Sequence, residues 1–303
     1  MQLGHVTLRD GRRVDTARVG DVDGFPVLLQ HGLPGSRLTA VHAEDAAREC
    51  GVHLVSLSRP GFGRSSAARP SLADRGHDAL EVMTALDIDR FAVLGTSGGA
   101  PAAAATAVVG GDRVTALGIA VGVGPWSELE PADDPGLAPE RAIVAAYARG
   151  EHEEAIDAYR RLAATWFDHM VSQESDEDLM GVFDALVAGP DGVPGEDLSY
   201  MTPKMRRRFA QDLREALSTY DGIALDNVTV GRAWDVDVTS IRQPTFLWFG
   251  DRDTLVSDAH SSWWHRQIPH ARMTLREGEG HGSAYLQHWE EMLRDLKDGE
   301  DPS

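Results

Sequence analysis

Short apolar runs alternate with helix-patterned stretches through the first part of this 303-residue chain. The alternation stops, then resumes near the end. Pro26–Gln30 (PVLLQ), His53–Leu57 (HLVSL), Phe91–Leu94 (FAVL) and Val114–Val121 (VTALGIAV) are continuous apolar runs of strand length. Between them, the stretches around Leu38 to Glu49, Ala73 to Leu86 and Gly98 to Val109 are helical in pattern. Strands that are apolar on both faces and separated by helices predict a parallel sheet covered on both sides. Val6–Leu8 and Thr16–Val19 predict an opening hairpin around Asp10-Gly11. From about Pro125 to Asp235 the sequence offers only helical segments, at Glu140–Arg149, Glu153–Phe167, Asp176–Ala188 and Lys204–Ser218. Gly189-Pro190-Asp191-Gly192 is read as a loop among them. Thr245–Phe249 (TFLWF) and Arg272–Leu275 then return as strands, with helices predicted at Ser257–Gln267 and Ser283–Lys297. The expected organisation is a core in two parts, 1–125 and 236–303, with a helical insertion at 126–235. The tail after Asp298 is expected to fray.

Composition narrows the chemistry. The 48 acidic and 29 basic residues leave a net charge of −19. Such a surface repels a phosphate backbone and anionic lipid head groups, so neither nucleic acid nor a membrane is an expected partner. One cysteine, Cys50, excludes an internal disulfide and a cysteine zinc cluster. Met1 to Val14 lacks the apolar stretch of a signal peptide, and the longest near-apolar run, Ala100 to Val109, is short of the about 20 residues that span a bilayer. A cytoplasmic location is therefore expected. Oligomeric state is left open.

Gly95-Thr96-Ser97-Gly98-Gly99 fits G-x-S-x-G, directly after the run FAVL and before a small-residue helix. A sharp strand-to-helix turn of this kind pushes a serine oxygen into a cleft, and the helix start offers free N–H groups beside it. In this the chain resembles the α/β-hydrolase superfamily, over nearly its whole length. Further pieces match in order. His31-Gly32-Leu33-Pro34-Gly35 stands where that family carries its oxyanion loop. Ser58-Arg59-Pro60-Gly61-Phe62-Gly63-Arg64-Ser65 is similar to its Arg-Pro-Gly-x-Gly-x-Ser turn. Gly250-Asp251-Arg252-Asp253 follows TFLWF, where the family places its acid, and Gly280-His281-Gly282 follows the last strand, where it places its histidine.

The resemblance implies an α/β-hydrolase fold: a mostly parallel eight-stranded sheet flanked by helices, with an inserted all-helical cap. It also implies a Ser97–His281–Asp253 triad, in the chain order this fold uses. Asp251 is the near competitor for the acid, and the fourth position of Gly-x-x-Asp favours Asp253. The backbone N–H groups of Leu33 and Gly98 would form the oxyanion hole; Pro34 has no N–H to give. His31 is read as a buried structural histidine, and His260, His265, His270 and His288 as surface groups. Asp258 fits the first turn of a helix.

Trp126, Trp166, Phe167, Met170, Phe183 and Tyr200 could give the cap an apolar inner face, or could serve only to pack it. Glu151-His152-Glu153-Glu154 is read as a solvated helix face rather than a metal cluster, because consecutive helical residues point apart. Arg206-Arg207-Arg208 is read as paired or solvated.

The activity expected is cofactor-free and metal-free hydrolysis of a small-molecule carboxylic ester through an acyl-enzyme on Ser97. Carbon–carbon bond hydrolysis, peptidase and perhydrolase chemistry could use the same triad, and a ligand-binding protein without turnover is the contrasting class. The His31-Gly32-Leu33-Pro34 loop also resembles that of epoxide hydrolases. Those enzymes and haloalkane dehalogenases use an aspartate where this chain has Ser97, which argues against epoxide and halide chemistry.

Overall fold

The structure, a computed structural model, describes residues 1–187 and 198–299. Eight strands form one sheet: β1 (Gln2–Thr7), β2 (Arg13–Gly20), β3 (Phe25–Gln30), β4 (Val52–Leu57), β5 (Phe91–Thr96), β6 (Val114–Ala120), β7 (Thr245–Gly250) and β8 (Arg272–Arg276). Their order is β1-β2-β4-β3-β5-β6-β7-β8. β1 and β2 pair antiparallel through the Asp10-Gly11 turn, β2 pairs antiparallel with β4, and all later pairs are parallel. The predicted mostly parallel sheet is thus present. Both hairpin strands run longer than their apolar runs, because edge pairing extends through polar residues such as Arg13 and Arg18.

Alternation within the buried strands feeds two separate cores. Leu28, Phe91 and Val93 face one side; Val27, Leu29, Ala92 and Leu94 face the other. Helices cover both sides: α1 (Glu44–Glu49), α2 (Leu72–Ala85) and α3 (Ala100–Gly110) in the first part of the chain. The stretch read as one helix from Leu38 opens as a 3-10 turn, Arg37–Ala43, capped by the Ser36 hydroxyl, and becomes α-helical only at Glu44.

Between β6 and β7 the described residues form helices and no strand: α4 (Trp126–Leu129), α5 (Ala138–Ala148), α6 (His152–Val171), α7 (Asp176–Val187), α8 (Pro203–Ala216) and α9 (Asp221–Gly231). They share a third core around Phe62, Tyr159, Met170 and Leu213. The loop reading at Gly189–Gly192 and the end of the helix reading at Ala188 lie outside the described residues. Helix α9 was missed in the sequence. It is buried along most of its length, its polar residues Asp226 and Thr229 included, and rich in β-branched residues and glycine. Such a segment has weak helix propensity, and with polar and apolar residues buried alike it has no solvated face to reveal its period. α10 (Asp258–Gln267) follows β7, with Asp258 in its first turn. The closing helix is two pieces, α11 (Ser283–Leu286) and α12 (Trp289–Asp298). The break falls at His288, whose ring bonds Glu279 at 2.9 Å. Among the described residues no helix is long and apolar enough to cross a membrane.

One buried ion pair links the insertion to the sheet. Arg59, 1% exposed, reaches Asp226 of α9 at 2.7 Å, and Arg75 approaches the same carboxylate at 3.7 Å. The Arg59 guanidinium also donates to the carbonyls of His31 and Gly32. Removing one partner of such a pair strands the other charge in a dry interior. Arg59→Ala is therefore expected to cost about 3–5 kcal/mol of stability, read as a lowered midpoint in urea unfolding.

Candidate active site

The parallel register brings the carboxyl ends of β3, β5, β7 and β8 to one edge of the sheet. Each predicted site residue lies on a loop leaving that edge. Ser97 follows β5 directly and has φ of +49°. A non-glycine residue there costs roughly 1–3 kcal/mol, which the surrounding turn must hold in place. The 3-10 turn Ser97–Gly99 then runs into α3. Gly99 is needed for the approach of this turn to the β3 loop. A Cβ on it would lie 2.2 Å from the Gln30 carbonyl and 2.3 Å from that of His31. Both contacts are backbone and cannot swing away. Gly99→Ala is accordingly expected to destabilise the fold by about 1–3 kcal/mol, measured as a drop in thermal midpoint.

His281 sits between Ser97 and Asp253. Its Nε2 is 3.0 Å from Ser97 Oγ, and its Nδ1 is 2.7 Å from Asp253 Oδ2. The other Asp253 oxygen accepts from the N–H groups of Leu255 (2.9 Å) and Val256 (2.8 Å). The carboxylate, 2% exposed at its side chain, is thereby fixed with one oxygen facing the imidazole. That arrangement keeps the proton on Nδ1 and leaves the Nε2 lone pair facing the serine hydroxyl. Asp251 is placed elsewhere: it accepts from the Gly278 N–H at 2.7 Å and braces the loop after β8. Gly250 lets that loop pass, since a Cβ there would lie 2.2 Å from the Glu279 carbonyl.

Leu33 and Gly98 are neighbours across the cleft; a Cβ built on Gly98 would meet Leu33 Cβ at 2.8 Å. Both line the cavity that contains Ser97 and His281. Gly98 lies in the first turn of a helix, where N–H groups have no partner within the helix. His31 is fully buried. It donates from Nδ1 to the Gly32 carbonyl (2.7 Å) and accepts at Nε2 from the Arg59 N–H (3.1 Å). Burial, with the Arg59 charge beside it, holds its pKa well below the usual histidine range.

His265 and His270 are exposed as expected, but His260 is not a surface group. It is 3% exposed, accepts from the Gly124 N–H (2.8 Å) and bonds Glu130 (2.8 Å). It ties α10 to the start of the insertion. His288, partly buried, is likewise held by Glu279 rather than free in solvent.

The cavity above Ser97 measures about 380 Å³, within the range of small-molecule sites. Of the six cap residues singled out, Trp126, Phe167 and Phe183 line it, whereas Trp166, Met170 and Tyr200 pack in the insertion. The Glu151–Glu154 stretch is exposed, and among the described residues no cluster suits a metal ion. Arg206 pairs with Asp184, Arg208 with Glu44, and Arg207 is exposed. Several polar cavity residues went unread in the sequence, among them Thr39, His42, Asp212, Asp226 and Asn227. For Asp212 a signal existed. It lies three residues after Phe209 and four before Ala216, on the apolar stripe of α8.

A sequence model of the alpha/beta hydrolase fold family matches residues 26–287. The chain belongs to that family. No curated protein matched it. Solved structures are similar over nearly its full length. A hydrolase from Pseudomonas aeruginosa PA01 has TM-score 0.66 at 20% identity, covering 97% of this chain and 98% of its own. An esterase from Exiguobacterium antarcticum has TM-score 0.66 at 15% identity, covering 98% and 100%. A bromoperoxidase from Bacillus anthracis has TM-score 0.65 at 20% identity, covering 97% and 99%. At these identities the likeness is one of fold.

Proposed function

We propose that this protein is a cofactor-free serine hydrolase that cleaves a small-molecule carboxylic ester through an acyl-enzyme on Ser97. The observation that carries the reading is the position of His281, within hydrogen-bond distance of both Ser97 and Asp253. A serine hydroxyl is a weak nucleophile at neutral pH and needs a base at that distance. In the reaction, Ser97 Oγ attacks the ester carbonyl as its proton passes to His281 Nε2. Asp253 stabilises the imidazolium without taking the proton. The N–H groups of Gly98 and Leu33 receive the developing oxyanion. His281 then protonates the leaving alcohol, and water, activated by the same imidazole, releases the acid.

The test is pre-steady-state hydrolysis of p-nitrophenyl acetate and butyrate, with mass-spectrometric mapping of a fluorophosphonate adduct. A burst of p-nitrophenol equal to the enzyme concentration and an adduct on Ser97 are expected. Turnover without an adduct on Ser97 overturns the proposal. Absence of both turnover and adduct favours a ligand-binding protein.

A further inference from the structure

The cavity wall carries an unusual charge balance. Asp212 of α8 lines it, is 4% exposed, and has no cation within salt-bridge distance among the described residues. Its oxygens accept from Ser36 N–H (2.8 Å), Ser36 Oγ–H (2.5 Å) and Thr39 Oγ1–H (2.6 Å), all neutral donors. A carboxylate offers about four acceptor sites, so one is left. Arg37, next to Ser36 in the chain, and Arg208, one turn before Asp212 on α8, are both committed elsewhere. Arg37 pairs with Glu215 at 2.8 Å and lies 3.7 Å from Asp15. Arg208 donates to the Val41 carbonyl and to Glu44, each at 2.9 Å. The second cavity carboxylate, Asp226, is already opposed by Arg59 and Arg75.

Two further polar lining groups, His42 and Asn227, have acceptor capacity to spare. His42 lies against the ring of Phe209, and neither of its ring nitrogens has a hydrogen-bond partner, though both are buried. Burial, with the Arg208 charge nearby, lowers its pKa to about 4, so at pH 7 it is neutral, with a lone pair on one ring nitrogen and an N–H on the other. Asn227 commits Nδ2 to the Ile223 carbonyl (2.9 Å), which leaves Oδ1 as an acceptor. No lysine or arginine lines the cavity among the described residues. Phe167, Phe183, Phe209 and Trp126 supply aromatic faces, which attract cations.

We propose that the cavity selects esters bearing a protonated amine, with Asp212 as the charge that holds the ammonium and His42 and Asn227 as neutral acceptors beside it. This names a substrate class for the reaction proposed above and rests on that reading for the word substrate. The physical argument is that a buried charge is costly until it is paired, and an ammonium is the partner this wall lacks. A carboxylate-bearing ester would add a second negative charge to the same wall.

The probes are 4-phenylbutylamine, 4-phenylbutan-1-ol and 4-phenylbutyrate, which share one apolar body. Titration calorimetry of the wild-type protein at pH 8 is expected to show the amine binding about ten-fold or more tighter than the alcohol, and the acid weakest. Amine affinity equal to or below that of the alcohol, or no heat with any of the three, overturns the proposal. In Asp212→Asn, checked for folding by circular dichroism, the amine-to-alcohol ratio is expected to fall towards one; an unchanged ratio overturns it.

A second arm does not depend on that variant. Burial pushes the Asp212 carboxyl up to about 7, the hydrogen bonds from Ser36 and Thr39 pulling the other way and Glu215 adding to the rise. Raising pH from 6 to 8.5 therefore ionises Asp212, while an alkyl amine with pKa near that of lysine, about 10.4, stays charged. Amine binding should tighten several-fold over this range and alcohol binding should not. The series is run in His281→Ala, so that the imidazole beside Ser97 contributes nothing. A flat amine series overturns the proposal. Calorimetry reads binding, so amine preference without ester turnover would sink the hydrolase reading and leave this one standing.

Discussion

Ser97→Ala is expected to lower ester kcat by between about ten-thousand-fold and a million-fold while KM changes little. The substitution removes one oxygen and leaves the cavity and the N–H groups of Leu33 and Gly98 in place, so ground-state binding has no reason to weaken. What is lost is the covalent route. Water would have to attack with only His281 to assist it, from a position the turn at Ser97 was not shaped to hold. The measurement is kcat and KM on p-nitrophenyl butyrate, with active-site titration to show that no wild-type enzyme contaminates the preparation. Turnover within ten-fold of wild type would place the nucleophile elsewhere.

The second large effect separates two acids only two residues apart. Asp253→Asn is expected to cost about ten-thousand-fold in kcat. The amide oxygen would take over the N–H groups of Leu255 and Val256, which now bond Asp253 Oδ1. Its Nδ2 then faces His281 Nδ1 and donates to it, forcing the ring proton onto Nε2. The imidazole is left with no lone pair toward Ser97. Asp251→Asn should stay within about three-fold, because its oxygen serves the Gly278 N–H and any carbonyl oxygen can accept that bond. Comparable losses in the two variants would show that the loop as a whole, not one carboxylate, matters.

The sheet was readable because its strands are buried on both faces and appear as unbroken apolar runs. The loops leaving its carboxyl edge were readable because each carries a short pattern with a mechanical reason. Position in Gly-x-x-Asp favoured Asp253 over Asp251, and the backbone bonds that distinguish the two were visible only in three dimensions. Other features left little trace. α9 buries Asp226 and Thr229 together with its apolar residues, and a helix without a solvated side has no visible period. His260 looked like a surface residue because the burying partners, Gly124 and Glu130, are far away in sequence. Asp212 was hidden in a run of charged residues, where one carboxylate on the apolar stripe is easily taken for part of the solvated face.

The grip of Arg59 on both Asp226 and the His31–Gly32 carbonyls has a consequence for anyone reshaping specificity. Preorganised donors act well because they need not rearrange as charge develops, and the rigidity of the loop proposed to supply one is shared with a helix far along the chain. Recutting α9 to widen the chamber would loosen the loop that must stay still, and selectivity would be traded against rate. Phe183 meets Phe209 ring to ring at 4.9 Å. Both rings line the chamber, and carving at that contact reshapes it without cutting the pair between Arg59 and Asp226.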